Sequence, residues 1–256
     1  MAQTGATRIQ LCGRLVVRLD GQRVEDRLPG ANGRMLFAYL VLNRLRRIDR
    51  DELLSAVYGE EASPDHQSRL SVLLSKLRRA VGAELVTGRS EIELVLAPDA
   101  FVDVEAAIEA IHRAENLIAD GEWAEAWGPS GVAYYVASRP LLQGHDSEWL
   151  DEWRRRLDEV RLRGLECFAA ASLGLGARTL PRAEECGRRL VALAPYRESG
   201  YRILMEALER RSNNAEALLV YDRLRVLLHA ELGIAPSPAL QSAYRRLLGT
   251  TATTTP

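Results

Sequence analysis

Residues 64–82 read PDHQSRLSVLLSKLRRAVG, and this stretch decides how the rest of the chain is interpreted. At 100° per residue its apolar side chains fall within about 80° of Leu70, which predicts a helix with one apolar stripe. The other members of the stripe are Leu73, Leu74, Leu77, Ala80 and Val81.

The opposite face of this helix combines small and basic side chains. Its members are Ser68, Val72, Ser75 and Arg79, flanked by Arg69, Ser71, Lys76 and Arg78. No acidic residue occurs between Asp65 and Glu84. Small side chains let a helix approach base edges in a nucleic acid groove, while basic neighbours reach phosphates. The segment is therefore a candidate DNA-binding helix, and the alternative is an ordinary amphipathic helix with a solvated basic face.

Two further helices are predicted before this one. The segment 31–43, ANGRMLFAYLVLN, has apolar residues at helical spacing. The segment after Ile48 reads DRDELLSAVYG, in which Asp49 is a suitable N-cap and Glu52 stands at the capping-box position. Gly59 is expected to end that helix.

Short strands are predicted on both sides of the three helices. Residues 8–27 contain apolar β-prone runs around Asp20-Gly21, a strong hairpin signal, and predict two or three antiparallel strands. Residues 84–96 predict a second hairpin around Gly88-Arg89-Ser90. Three helices followed by a hairpin predict a winged helix-turn-helix, whose third helix enters the major groove and whose hairpin tip reaches the neighbouring backbone.

The candidate DNA-contacting residues follow from this arrangement. Arg34 and Arg50 stand at helix starts, where N-termini can meet phosphates, although each could instead be a solvated arginine. The predicted DNA-binding residues are Arg34, Arg50, Gln67, Ser68, Arg69, Ser71, Val72, Ser75, Lys76, Arg79 and Arg89.

Ala97-Pro98-Asp99 interrupts the pattern and predicts a domain boundary. Almost everything after it is predicted to be helical, with an interruption at Gly128-Pro129. The predicted helices span 102–121, 122–139, 147–173, 180–193, 198–211, 215–232 and 238–247. Ala-Glu pairs at 183 and 215 recur 32 residues apart, near the tetratricopeptide repeat (TPR) period; the alternative is a generic helical bundle.

The predicted fold class is mostly α, with an N-terminal winged helix-turn-helix (α+β) and an all-α TPR-like domain. The predicted boundaries are 8–97 for the winged helix, 101–248 for the helical domain and 249–256 for a disordered tail.

Composition supports a two-domain globular protein. The chain has 256 residues with a net charge of −1, yet up to Leu96 it carries 15 basic against 12 acidic residues. Cys12, Cys167 and Cys186 lie far apart, so neither a disulfide framework nor a metal-ligand pattern is predicted. No secretory signal or membrane-spanning run occurs, which predicts a cytoplasmic protein without membrane contact. Neither a metal nor a cofactor is expected.

These residues resemble a known family. The combination of LFAYLVLN with DRDELLSAVYGE, then SRLSVLLSKLRRAVG, and near the C-terminus EALLVYDRLRVLLHAELGIAPSPALQSAYRRLL is similar to the Streptomyces antibiotic regulatory proteins. Their first half is a winged helix of the OmpR type, and their second half is called the bacterial transcriptional activator domain. Arginine-dominated basic usage, with Lys76 the single lysine, suits a GC-rich actinobacterial genome.

The resemblance implies a function and partners. It implies a homodimer on promoter direct repeats and recruitment of RNA polymerase holoenzyme to a secondary-metabolite gene cluster, as in antibiotic biosynthesis. It also implies that the loop before the third helix faces the polymerase, with Glu60, Glu61 and Asp65 as contacts. The chain departs from the family at Ser90-Glu91-Ile92-Glu93, where a Gly-Tyr and a basic residue are usual, and in the segment 123–144.

The sequence bears on three other functions. The four histidines are scattered and no Gly-rich phosphate loop occurs, so catalysis is not expected. A scaffold whose winged helix serves protein contacts remains an alternative, as does a regulator that senses a small ligand in its helical domain. Salt-dependent binding to duplex DNA separates an activator from a scaffold.

Overall fold

The computed structural model describes residues 7–59 and 64–252. The chain forms two compact units, each made of two segments. The first unit contains Met1–Ala107 and Val136–Asp158, and the second contains Ile108–Tyr135 and Glu159–Pro256.

The first unit begins with a four-stranded sheet. Strands β1 (Arg8–Gln10), β2 (Val16–Leu19) and β3 (Gln22–Arg23) are antiparallel, and β7 (Phe101–Val102) pairs in parallel with β1. Asp20 and Gly21 both have positive φ, at 47° and 79°, which is the turn geometry that a two-residue hairpin needs. The predicted antiparallel strands are confirmed, whereas β7 was not predicted.

Three helices and a second sheet follow. The helices are α1 (Gly30–Leu42), α2 (Arg50–Tyr58) and α3 (Pro64–Val81). Strand β4 (Ile48–Asp49) lies between α1 and α2, and strands β5 (Val86–Thr87) and β6 (Glu91–Leu94) follow α3. The three strands form one sheet in the order β4-β6-β5. The Asp49 carboxylate accepts a hydrogen bond from the Glu52 amide at 2.8 Å, so the predicted N-cap is present. These elements form the predicted three-helix arrangement with a following hairpin.

A segment from the predicted helical domain completes the first unit. Cys12 forms a β-bridge with Leu141, and the Trp149 indole N–H donates to the Ala56 carbonyl at 3.0 Å. Trp149 also meets the Tyr39 ring edge-on, with centroids 5.0 Å apart. The compact units therefore divide the chain differently from the predicted boundaries, because long-range pairing and packing add residues 101–107 and 136–158 to the first unit.

The remaining chain is helical. Its helices are α4 (Asp103–Ala119), α5 (Trp123–Ala137), α6 (Glu148–Gly174), α7 (Leu180–Leu193), α8 (Glu198–Arg210), α9 (Asn214–Leu232) and α10 (Pro238–Ala252). In the second unit, one apolar core joins α6, α7 and α8, and another joins α8, α9 and α10. The mostly α fold class is confirmed.

Two predictions about helix ends are wrong. Helix α5 continues through Pro129; the carbonyl that loses its helical donor belongs to Glu125, an exposed residue that water can reach. Helix α10 continues to Ala252, because each added residue gains a backbone hydrogen bond, so 249–252 are not a disordered tail. The rest of that predicted tail lies outside the described residues.

Candidate nucleic-acid interface

Helix α3 buries one face and exposes the other, as its sequence predicts. Leu70 and Leu77 are completely buried, and the helix packs against α1, α2 and β5. On the outer face Val72 is 53% exposed. Every α3 residue predicted to contact DNA is exposed, namely Gln67, Ser68, Arg69, Ser71, Val72, Ser75, Lys76 and Arg79.

A group of cations around this face has no partner in the part of the chain that the structure describes. Neither an ion pair nor a side-chain hydrogen bond occupies the five exposed side chains Arg34, Arg69, Lys76, Arg79 and Arg89. Elsewhere many arginines are ion-paired, as in the Arg44–Glu105 contact at 2.7 Å. The face is therefore positively charged and open to an anionic ligand.

An open groove runs beside α3. It has a volume of about 820 Å³ and lies between the start of α1, at Gly30 and Asn32, and the α3 side chains Ser68, Val72 and Lys76. The first turn of α1 carries no acidic residue and its N-cap side chain makes no hydrogen bond. The partial positive charge of that helix end therefore adds to the field of the basic side chains.

Arg50 connects α2, α3 and the hairpin. Its guanidinium donates to the Ser71 hydroxyl at 2.7 Å and to the Arg89 carbonyl at 3.4 Å. Ser71 in turn donates to the Gln67 carbonyl at 3.0 Å, and the Gln67 amide donates to Asp51 at 3.1 Å. The structure thus brings Arg50 and Ser71 to the predicted face, but both groups already hold neighbouring elements in place.

The hairpin is held by Arg78, a residue that the sequence analysis placed only on the flank of α3. Its guanidinium donates to the Val86 carbonyl at 2.8 Å and to the Gly88 carbonyl at 2.6 Å. Arg47, which the sequence analysis missed, lies 3.8 Å from Glu91 and 3.4 Å from Glu93. Arg47 therefore offsets the acidic charge that sets this hairpin apart from the family pattern.

Substitutions of the neighbouring residues Arg78 and Arg79 test whether Arg78 holds the hairpin. We expect Arg78→Ala to lower the free energy of unfolding by about 1–3 kcal/mol, because the carbonyl of buried Val86 and the carbonyl of exposed Gly88 both lose a charged donor. Arg79→Ala removes an exposed arginine without a partner and should change stability by less than about 0.5 kcal/mol. Urea denaturation of both variants measures the difference, and equal effects would contradict the role given to Arg78.

The loop between α2 and α3 is only partly described. Glu60 and Glu61 lie outside the described residues, whereas Asp65 is exposed in the first turn of α3. The rings of Tyr58 and His66 stack with centroids 4.7 Å apart and planes 6° from parallel. This contact links the end of α2 to the start of α3.

Comparison with known proteins places the chain among transcriptional regulators. Residues 102–248 match the family described as the bacterial transcriptional activator domain. The chain is 31% identical to the regulatory protein AfsR of Streptomyces griseus over 228 residues, and 27% identical to the transcriptional regulatory protein MoaR1 of Mycobacterium tuberculosis over 256 residues. The alignments cover 84% of this chain and 22% of AfsR, and 95% of this chain and 80% of MoaR1.

A solved structure has the same fold. The structure of Mycobacterium tuberculosis EmbR in complex with a low affinity phosphopeptide superimposes with a TM-score of 0.84 at 21% identity, covering 95% of this chain and 65% of that one. The relatives are named as regulatory proteins, so the class of protein that the chain is similar to is the transcriptional regulator. The chain belongs to the bacterial transcriptional activator domain family, within the Streptomyces antibiotic regulatory proteins that its sequence resembles. It spans about a quarter of the length of AfsR.

No helix in the described ranges is long and apolar enough to cross a membrane.

Proposed function

We propose that this protein activates transcription by placing α3 in the major groove of promoter DNA and contacting RNA polymerase holoenzyme through the loop before α3. The observation that carries the proposal is the exposed face of α3, where Val72 and small hydroxyl side chains lie among cations without partners. A solvated helix gains nothing from an exposed valine, whereas in the major groove a valine can pack against a thymine methyl group.

Each part of the surface has a distinct task in this proposal. Arg69, Lys76 and Arg79 bind phosphates beside the groove that α3 occupies, and Arg34 does so at the start of α1. Arg89 at the hairpin tip binds the adjacent backbone, while Arg50 holds that tip against α3. Two copies bind as a homodimer on direct repeats, and the helical domain, organised as TPR-like helix pairs, contributes protein contacts. The protein acts in the cytoplasm on a secondary-metabolite gene cluster.

Selection from a random duplex pool tests the DNA-binding half of the proposal. We expect enrichment of a short motif repeated in the same orientation. If the five unpartnered cations each neutralise one phosphate, the slope of log K against log salt should be about −4 to −5 per protomer. A pool that stays unenriched, with binding that does not respond to salt, would favour the scaffold alternative.

The polymerase contact is tested by charge reversal in the loop. Changing Glu60 and Glu61 together to Lys should reduce transcription activation several-fold, because an acidic loop so close to DNA serves another partner. DNA affinity should stay equal or rise slightly, since two negative charges near phosphates are removed. In vitro transcription and DNA binding are measured on the same samples.

An acidic pair remote in sequence provides the control. Asp120 and Glu122 are exposed between α4 and α5, and their reversal to Lys should leave both activation and binding unchanged. Parallel loss of binding and activation in the Glu60 and Glu61 variant would mean that the loop is structural.

A further inference from the structure

Helix α9 is apolar on two sides, although only one side is covered. Its inner side packs into the core formed with α8 and α10 through Ala217, Val220, Tyr221, Leu224 and Leu228. On the outer side Leu219 is 55% exposed and Val226 is 60% exposed, and they form one stripe with Leu227 and Ala230. Helices with apolar residues all round are normally buried on all sides. The α9 stripe (Leu219, Val226, Leu227 and Ala230) therefore lacks a cover in the isolated chain.

Three charged residues line the α9 stripe, and two of them are placed symmetrically. The third, Asp222, pairs with Arg225 at 3.2 Å. Arg223 and Glu231 stand four residues before and four residues after Leu227, and the helical repeat places both on the flank on which Leu227 lies. Both are exposed, and neither has a hydrogen-bond or ion-pair partner among the described residues. Some charged groups elsewhere on the same unit are paired, as in the contacts Arg188–Glu216 and Arg246–Glu209.

We infer that α9 is a self-association surface, on which a second copy of this chain packs its own α9 antiparallel. A two-fold axis at Leu227 places Arg223 of each copy beside Glu231 of the other, so one operation forms two ion pairs. The same operation covers Val226, Leu227 and Ala230 with their counterparts. This contact belongs to the protein off DNA, so the inference goes beyond the proposed function and does not depend on it.

Charge complementarity is what selects a second copy as the occupant. Opposite charges at equal distances on either side of Leu227 face each other when two copies of α9 pack antiparallel. An unrelated partner would not require this equal spacing. The pairing about Leu227 runs from Arg223 to Glu231, about 12 Å at 1.5 Å per residue, and leaves Leu219 outside it. That length buries less than the roughly 800 Å² per partner of a standard interface, so the dimer should be weak, with a dissociation constant of about 1–100 μM.

Charge exchange in the full chain tests the inference. Sedimentation equilibrium of the wild type should show a reversible monomer–dimer equilibrium. Arg223→Glu and Glu231→Arg should each weaken self-association about tenfold or more, because both ion pairs become like-charge contacts. An equimolar mixture of the two variants should associate as tightly as the wild type, because both pairs re-form in the heterodimer. The double variant should also associate normally.

Further variants address packing and fold. Val226→Glu should abolish association, whereas Val132→Glu, at a valine 44% exposed on α5, should leave it unchanged. Circular dichroism and DNA affinity of each variant show whether the fold and the DNA-binding surface remain intact. A wild type that stays monomeric at 300 μM would overturn the inference. A mixture of the two charge variants that stays monomeric would overturn it too.

Discussion

Asp103→Ala is expected to lower the free energy of unfolding by about 2–5 kcal/mol, a large share of the 5–15 kcal/mol typical of a folded domain. The Asp103 side chain is 2% exposed, and its two carboxylate oxygens accept hydrogen bonds from the amides of Leu11 at 2.9 Å and Cys12 at 3.0 Å. Burial raises the pKa of Asp103, and the two amide donors oppose that shift. Removing the carboxylate leaves two buried N–H groups without an acceptor, each costing about 1–3 kcal/mol.

A nearby carboxylate provides the control for this prediction. Asp99 is exposed four residues earlier and has no side-chain partner among the described residues, so Asp99→Ala should change stability by less than about 0.5 kcal/mol. Thermal denaturation should show Asp103→Ala melting about 5–15 °C lower than the wild type. Equal melting temperatures for the two variants would mean that the Leu11 and Cys12 amides find other acceptors.

The same contacts explain why the compact units of the structure do not follow the predicted domain boundaries. Pro98 is a genuine break in local structure, but the first sheet takes its fourth strand from beyond it, and Asp103 acts on residues more than 90 positions earlier. Trp149 packs on Tyr39 across an even longer stretch of chain. A fragment ending at residue 98 would lack all three and should be unstable as an isolated protein.

Features that depend on neighbouring residues were predicted well. The Asp49 N-cap, the Asp20-Gly21 turn and the buried stripe on α3 all follow from local backbone chemistry and helical spacing. Pro129 shows the limit of local rules, because a helix tolerates proline where the released carbonyl faces solvent.

The candidate DNA-binding site likewise has features that the sequence predicts and features that it does not. The sequence predicts which α3 side chains are exposed, since a period of 3.6 residues fixes the outer face once the apolar stripe is known. It does not show that Arg78 turns away to hold the hairpin, or that Arg47 covers Glu91 and Glu93. Those roles depend on where β5 and β6 lie, and an arginine on a helix flank looks the same in either case.

Two substitutions on α3 should separate base recognition from phosphate binding. Val72→Ser is expected to cost about 1–3 kcal/mol at one preferred base pair, because a hydroxyl replaces the apolar contact with a thymine methyl, while non-specific binding stays unchanged. Lys76→Ala should instead weaken binding to every sequence alike and reduce the salt slope by about one unit, because one phosphate contact is lost. Ser68 and Ser75 lie about one turn either side of Val72, so their replacement should affect adjacent base positions.

The measurement uses each variant against the selected operator, a panel of single-base variants and random duplex at two salt concentrations. Val132→Ser, which makes the same change at an exposed position of α5, controls for a general effect of losing a valine. The decisive quantity is the pattern of loss across the panel, since the two residues lie one turn apart on α3 and are proposed to contact different parts of the DNA. Replacing a residue that contacts a base should lower the affinity at one position of the panel only. Replacing a residue that binds a phosphate should lower the affinity for every sequence. If Val72→Ser and Lys76→Ala gave the same uniform loss, α3 would bind DNA without contacting its bases, and the sequence preference would have to come from DNA shape or from the hairpin.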